Sequence, residues 1–392
     1  MKQNAGYEMK VCGIIAEYDP FHKGHRYHLE TAREKSGADY IVCVLGCAFS
    51  QRGDAMLFDS HKRAEMALLN GADLVLGMPV SFSCAQANRF AKGGVGILSG
   101  IGVTTHLSFG SERAETEPLL AAAHLLNHPN EGYNTELKNN LTAGLSFAQA
   151  QGEALAESLP QIDPELFSSP NFILGVSYLR ELEARGSDII PLPVLRKTAY
   201  HSKALGPDAS AGAVRLKLLG EIICDLKEEC TDESIRVILS AVMHRPEALD
   251  KALLYMLNSA TPEQLKQYSE FSEGLEQRVL SAARKAVSRE ELILHTKTKR
   301  YPYTRISRAL TQALLDMKQY SEWPEYARLL GMRKSAAPLL SAIDQSGFPL
   351  ISRPARSSIT EVAQDMQAEE IWQIGAGRSA QTAWQEQVVI VE

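Results

Sequence analysis

With 392 residues, 45% of them hydrophobic and 22% charged, the chain has the make-up of a globular protein long enough for two domains. Its 41 basic and 47 acidic residues give a formal net charge of −6, which argues against nucleic-acid binding by overall charge but leaves room for a local basic patch. No apolar run reaches the roughly 18 residues needed to span a bilayer, and residues 1–8 lack the apolar core of a secretory signal, so the expectation is a cytoplasmic protein with a disordered extension at 1–8 and no membrane partner. The cysteines Cys12, Cys43, Cys47, Cys84, Cys224 and Cys230 form no C-x-x-C pair and are read as free thiols of a reducing compartment.

The first element is an apolar run, Val11–Ala16, read as a buried strand. It breaks at Asp19-Pro20, because proline cannot sit inside a central strand, and an amphipathic segment follows over about 25–35. His22 and His25, three apart, fall on one face beside the positive end of that helix, where a polyphosphate is favoured. Gly24 lets a ligand or another backbone approach closely. A surface turn with two solvated histidines is the plain alternative. H-x-G-H after a first strand resembles the signature of the α/β superfamily that transfers adenylyl groups from ATP.

Further strand candidates at 40–45, 74–76 and 106–109 alternate with helical segments at 61–70, closed by Gly71, and at 86–98; this is the βαβ pattern of a parallel sheet. Helical stretches over 115–126 and 133–159 follow. Ser168-Ser169-Pro170-Asn171, which suits a helix cap as well as ligand contact, then opens a helix over 172–185, ahead of a strand around 189–195 and a helix from Ser210. From residue 231 the periodicity is helical almost throughout, which predicts a separate all-α unit with its boundary near 220. Residues 387–392 read as an edge strand or a tail.

Several loops carry chemistry. The stretch from Gly46 to Asp54 follows the second strand, where doubly wound sheets bind ligands; Arg52 suits bidentate contact to phosphate or carboxylate, or a surface turn. Gly110, in Ser108-Phe109-Gly110-Ser111-Glu112, suits backbone contact to adenine or ribose, or a simple turn. Arg196 and Lys197 end a strand in two cations fit for an anionic ligand, or are simply exposed, as strand-end cations commonly are. Ser210 opens a helix of small residues whose N–H groups could hold phosphates or merely pack closely, with Tyr200, His201 and Lys203 just before it. Lys297, Lys299, Arg300, Arg305 and Arg308, with Tyr301 and Tyr303 among them, combine phosphate-positioning cations with rings able to stack on unpaired bases; a solvated basic helix start has the same composition. No group of residues is read as a metal site.

Taken in order, EYDPFHKGH, FSQRGD, KRAEMAL, FGSE, SPNFILG, ASAGAVR, EGLEQR and KRYPYTRISRAL resemble the bacterial tRNA(Met) cytidine acetate ligase family, a branch of the H-x-G-H nucleotidyltransferases. The resemblance covers about 11–374. It implies an α/β fold: a Rossmann-like nucleotidyltransferase domain with a parallel sheet over 9–220, followed by an all-α tRNA-binding domain over 221–392. It implies a reaction in two steps, in which ATP converts acetate to acetyl-AMP and the acetyl group passes to N4 of the wobble cytidine of elongator tRNA(Met). It implies catalytic roles for His22 and His25 and an ATP site made of Ile15, Ala16, Glu17, Tyr18, Asp19, Phe21, His22, Gly24, His25, His28, Gly110, Asn171, Arg196 and Ser210. It further implies Mg²⁺ on the pyrophosphate leaving group and tRNA contacts from Lys297, Lys299, Arg300, Arg305 and Arg308. The chain departs from the usual family pattern at Asp19, Lys23 and Ala48, where asparagine is usual, and at Gly212 and Pro302, where threonine is usual. The competing readings are a small-molecule adenylyltransferase and a non-catalytic ATP- or tRNA-binding protein of the same fold.

Overall fold

The short apolar runs assemble into one eight-stranded sheet: β1 Val11–Ala16, β2 Tyr40–Gly46, β3 Leu74–Met78, β4 His106–Ser111, β5 Ile190–Leu195, β6 Ala327–Arg333, β7 Leu350–Ile351 and β8 Val389–Val391. This computed structural model describes residues 9–196, 205–206, 209–220, 225–318 and 321–392. The expected extension 1–8, Lys197, Tyr200, His201, Lys203 and Cys224 lie outside the described residues.

The strand order is β5-β4-β1-β2-β3-β6-β7, with β8 beside β6, and β1 to β5 are parallel. Alternation along each strand splits the apolar residues between two cores. Val11, Ile15, Val42, Val44 and Leu76 face the helices Ala87–Gly100 and Pro170–Ala184. Cys12, Ile14, Ile41, Cys43 and Leu45 face the helices Lys23–Ser36 and Ser60–Leu69. The winding reverses between β1 and β4, which leaves a crevice outside their carboxyl ends, the place where open α/β sheets bind ligands.

The C-terminal third differs from expectation. It is not all-α: β6 lies antiparallel on β3, with a bulge opposite Val75 and Leu76, and β7 and β8 add to its far edge. Without β6, the buried strand β3 would be an open edge. The strand escapes sequence reading because a charged residue sits second in it. Arg328 is buried there, 2.8 Å from Glu369 of the helix Thr360–Gly375. The boundary near 220 also moves. Leu226, Cys230, Val237 and Ile238 pack into the second sheet core. The helices between 250 and 314 have a core of their own, built on Leu257, Leu275, Val279, Ile306 and Leu310. The single helix expected over 133–159 is two, Glu131–Thr142 and Phe147–Ser158, parted at Gly144 with φ +88°.

Candidate active site

At the end of β1 the chain turns through Tyr18, whose φ of +52° is uncommon for a bulky residue, and enters the helix at His22. His22 is the N-cap: its Nδ1 accepts the Gly24 N–H at 3.1 Å. His25 answers it, Nδ1 accepting the His22 N–H at 3.3 Å, so two imidazoles form the reciprocal cap usually made by Ser and Glu. This cap itself requires Gly24, since a Cβ there would lie 2.9 Å from the His22 ring. The helix N-terminus also differs from expectation. The Lys23 N–H is already bonded to the Glu229 carbonyl at 2.8 Å and the Gly24 N–H to His22, so neither backbone donor is free at this helix start.

With each Nδ1 accepting, the network assigns the ring proton to Nε2. Neither Nε2 has a hydrogen-bond partner among the described residues, and both residues line a cleft of about 850 Å³. The two rings stack at 3.7 Å. His28 reaches the Ser108 hydroxyl at 2.9 Å. Burial pushes His22 down to about 3 and His28 to about 4, with the Arg196 charge adding to both. Burial, then His22 and Arg196, hold His25 well below the ordinary histidine range. The three rings therefore stand neutral at pH 7, with His22 and His25 turning Nε2–H donors to the cleft and His28 engaged with Ser108.

The opposite wall is built on β4, β5 and the helix Pro170–Ala184. Asn171 opens that helix; its Nδ2 donates to Glu112 Oε1 at 2.8 Å and its Oδ1 accepts from Arg196 Nη1 at 3.4 Å. The Glu112–Asn171–Arg196 chain holds the guanidinium near the histidines. Gly110 leaves room for the Arg196 stem, which a Cβ would meet at 3.3 Å. Ser210 caps the helix Ala211–Leu219 by accepting the Ala213 N–H at 3.2 Å, and that helix start lines the cleft with Gly212.

Ile15, Ala16, Glu17, Tyr18, Asp19, His22, Gly24, His25, His28, Gly110, Asn171, Arg196 and Ser210 all line this one cleft. Phe21 does not. Its ring is fully buried, 4.9 Å from Tyr18, and belongs to the core. Asp19 accepts the N–H groups of Leu57 (2.8 Å) and Phe58 (3.2 Å) and stands 3.7 Å from Arg215, tying the histidine loop to the loop after β2. Ala48 is buried with Val80, Cys84 and Trp372 outside the cleft lining.

The sequence reading missed two groups. Arg63 is fully buried and donates to the carbonyls of Glu17 (2.6 Å), Gly46 (2.7 Å), Cys47 (2.5 Å) and Phe58 (2.9 Å), bracing the ends of β1 and β2 together. A signal existed: Arg63 falls three and four residues before Met66 and Ala67, on the apolar face of its helix. The second group comes from the helical unit. Leu253, Arg289, Thr311 and Leu314 line the same cleft. Arg289 bonds Asp54 Oδ1 (3.0 Å), the Gly53 carbonyl (2.7 Å) and the Ser307 hydroxyl (2.7 Å), and Ser307 and Thr311 donate to the Arg52 and Gly53 carbonyls. Gly53 and Asp54 are thus a joint between the two parts of the protein.

The basic segment divides. Lys297, Lys299 and Arg300 are exposed, Arg300 sharing the Glu273 carboxylate at 3.4 Å. Arg305 is held by Glu273 at 3.2 Å, and Arg308 lies in a mostly buried pair with Glu270 at 2.7 Å. The stacking reading of Tyr301 fails. Its ring is buried, with its hydroxyl bonded to the Glu273 carbonyl, because the apolar ring completes the helical core. Tyr303 donates to Glu290.

Comparison with known proteins agrees with this geometry. The HIGH Nucleotidyl Transferase family model matches residues 9–387. The tRNA(Met) cytidine acetate ligase of Acetivibrio thermocellus is 37% identical over 364 residues, 88% of each chain, and that of Syntrophomonas wolfei is 35% identical over 363 residues, 88% of this chain and 87% of its own. The crystal structure of apo Thermotoga maritima TmcAL superposes with a TM-score of 0.90 at 26% identity, covering 97% of this chain and all of that one. The same protein bound with alpha-thio ATP gives 0.88. The chain belongs to the HIGH nucleotidyl transferase family and, within it, to the family of the tRNA(Met) cytidine acetate ligases.

Proposed function

We infer that the protein is an ATP-dependent ligase that converts acetate to acetyl-AMP and transfers the acetyl group to N4 of the wobble cytidine of elongator tRNA(Met). The observation that carries the site assignment is the His22–His25 cap, two neutral imidazoles whose Nε2–H donors face the cleft. In the first step an acetate oxygen attacks the α-phosphorus of ATP and pyrophosphate leaves. His22 and His25 donate to the phosphate oxygens on which charge builds, and Arg196, set by Asn171, adds a fixed cation. In the second step the cytidine N4 attacks the acetyl carbonyl, AMP leaves, and N4 gives up a proton. The mixed anhydride is already activated, so no protein nucleophile is needed.

Mg²⁺ is expected to arrive as the metal complex of ATP. The cleft carboxylates do not offer a protein-built site: Asp19 is engaged by two N–H groups, Glu17 Oε1 by the Gln51 N–H at 2.7 Å, and Asp54 by Arg289. Exposed Lys297, Lys299 and Arg300 support a tRNA contact on the helical unit. No described helix is long and apolar enough to cross a membrane.

The test is acetate-dependent pyrophosphate release from ATP by the full chain, with N4-acetylcytidine appearing in added tRNA(Met). Release driven by another small substrate and indifferent to acetate and tRNA overturns the reading. His25→Ala should lower acetate-dependent release by about 10²-fold or more with an unchanged circular dichroism spectrum. Full activity in that variant removes the role given to the histidine pair.

A further inference from the structure

On the protein surface, the helix Glu117–Asn127 ends beside the last turn of Pro170–Ala184, and three side chains there converge: His124, His128 and Glu183. His124 and His128 are one helical turn apart, and their rings lie 4.7 Å from each other. Glu183 reaches up from the neighbouring helix, its Oε1 2.6 Å from His124 Nδ1 and 3.7 Å from His128 Nε2. One ligand atom from each residue falls within 4.8 Å of the other two.

The carboxylate is aimed. Asn127 donates to Glu183 Oε2 at 2.8 Å and to the Arg180 carbonyl at 3.0 Å, while Arg180 Nε donates back to the Asn127 side chain at 3.1 Å. Oε2 is thereby occupied and Oε1 is left facing both imidazoles. Outer contacts of this kind orient the carboxylate ligands of metal sites. Two imidazoles and one carboxylate, open to solvent on the remaining side, match borderline divalent ions such as Zn²⁺ and Co²⁺, and do not match Ca²⁺ or Mg²⁺, which ask for oxygen ligands.

We propose that His124, His128 and Glu183 form a surface site for a divalent transition-metal ion of the Zn²⁺ class, which clamps the ends of these two helices together. Bond lengths near 2.0–2.1 Å in a tetrahedral shell hold ligand atoms roughly 3.3 Å apart, so binding opens the His124–Glu183 hydrogen bond by roughly 0.7 Å and leaves the His124 ring proton on Nε2. The 15-residue helix that carries Glu183 near its end carries Asn171 near its start, which separates the ion from that asparagine by roughly 18 Å at 1.5 Å per residue. The site is therefore structural and leaves the chemistry of the cleft alone.

The experiment uses the full chain, free of any affinity tag and stripped with chelator, titrated with Zn²⁺ by calorimetry and with Co²⁺ by visible absorption. The expected result is one ion per chain, ligand-field bands without the charge-transfer band of a thiolate, and a rise in Tm on adding Zn²⁺. His128→Ala should abolish the binding step and the Tm rise. Asn127→Ala, which keeps all three ligands, should weaken affinity about 10–100-fold. Pyrophosphate release should be the same with and without the ion. Absence of binding to the wild-type chain overturns the proposal. So does binding that survives the combined His124→Ala and His128→Ala change, or a Co²⁺ spectrum showing cysteine ligation.

Discussion

Gly53→Ala is the sharpest probe of how the two parts of this protein meet. Gly53 has φ +86°, and a Cβ on it would stand 2.7 Å from Arg308 N and Ser307 C, 0.7 Å short of the 3.4 Å at which ordinary contact begins. Both are backbone atoms, so no side chain can swing aside. The helix Tyr303–Leu314 must lift, stretching the 2.5 Å bonds from Ser307 to the Arg52 carbonyl and from Thr311 to the Gly53 carbonyl. A left-handed backbone costs an alanine about 1–2 kcal/mol. Forced overpacking adds about 1–3 kcal/mol. The expected loss is therefore about 2–5 kcal/mol, and the matching control is Gly144→Ala. Gly144 has φ +88° with nothing within 4 Å of its would-be Cβ, so it should lose only the first share, about 1–2 kcal/mol. Urea titration of the two variants measures the difference. In the same Gly53 variant, transfer to tRNA should fall further than acetate-dependent pyrophosphate release, because the joint seats the helical unit over the cleft. Equal stability losses at the two glycines would refute the docking argument.

Two further outcomes follow from the charges. The neutral rings of His22, His28 and His61 have folded values of about 3, 4 and 4, below the roughly 6.5 of an unfolded histidine. The unfolded chain therefore takes up protons first, so their stabilisation is complete above about pH 6.5 and is lost as the pH falls toward about 4, by up to about 1.4 kcal/mol per pH unit for each ring. Urea titrations without ATP between about pH 7 and 5 should show this slope, and His61→Gln should make it shallower; a flat profile refutes it. In the basic segment, Lys299→Ala with Arg300→Ala should weaken tRNA binding and flatten its salt dependence. Arg308→Ala should instead cost about 1–3 kcal/mol of stability by leaving Glu270 without its partner. If Arg308→Ala weakens tRNA binding at unchanged stability, the division between exposed and buried cations is wrong.

Local pattern carries local information, and that is where the sequence reading succeeded. The break at Pro20, the spacing of His22 and His25 and the period of the first four strands follow from neighbours in the chain, so the nucleotide-binding half and its order of elements were readable. β6 was not, because Arg328 interrupts its apolar run and is accommodated by Glu369, 41 residues away. Phe21 and Tyr301 looked like ligand contacts because an aromatic beside a motif has the same letters whether it faces a ligand or a core.

The sequence by itself determined the chemistry of the cleft: which imidazoles, which guanidinium and which amide are available. Only the tertiary structure decided their state and their partners. Burial makes the histidines neutral, and reciprocal capping sends their protons to Nε2. Arg289, 235 residues from Asp54, closes the helical unit onto the loop after β2. Each of these depends on dielectric and distance between segments remote in the chain, quantities that no local pattern of residues encodes.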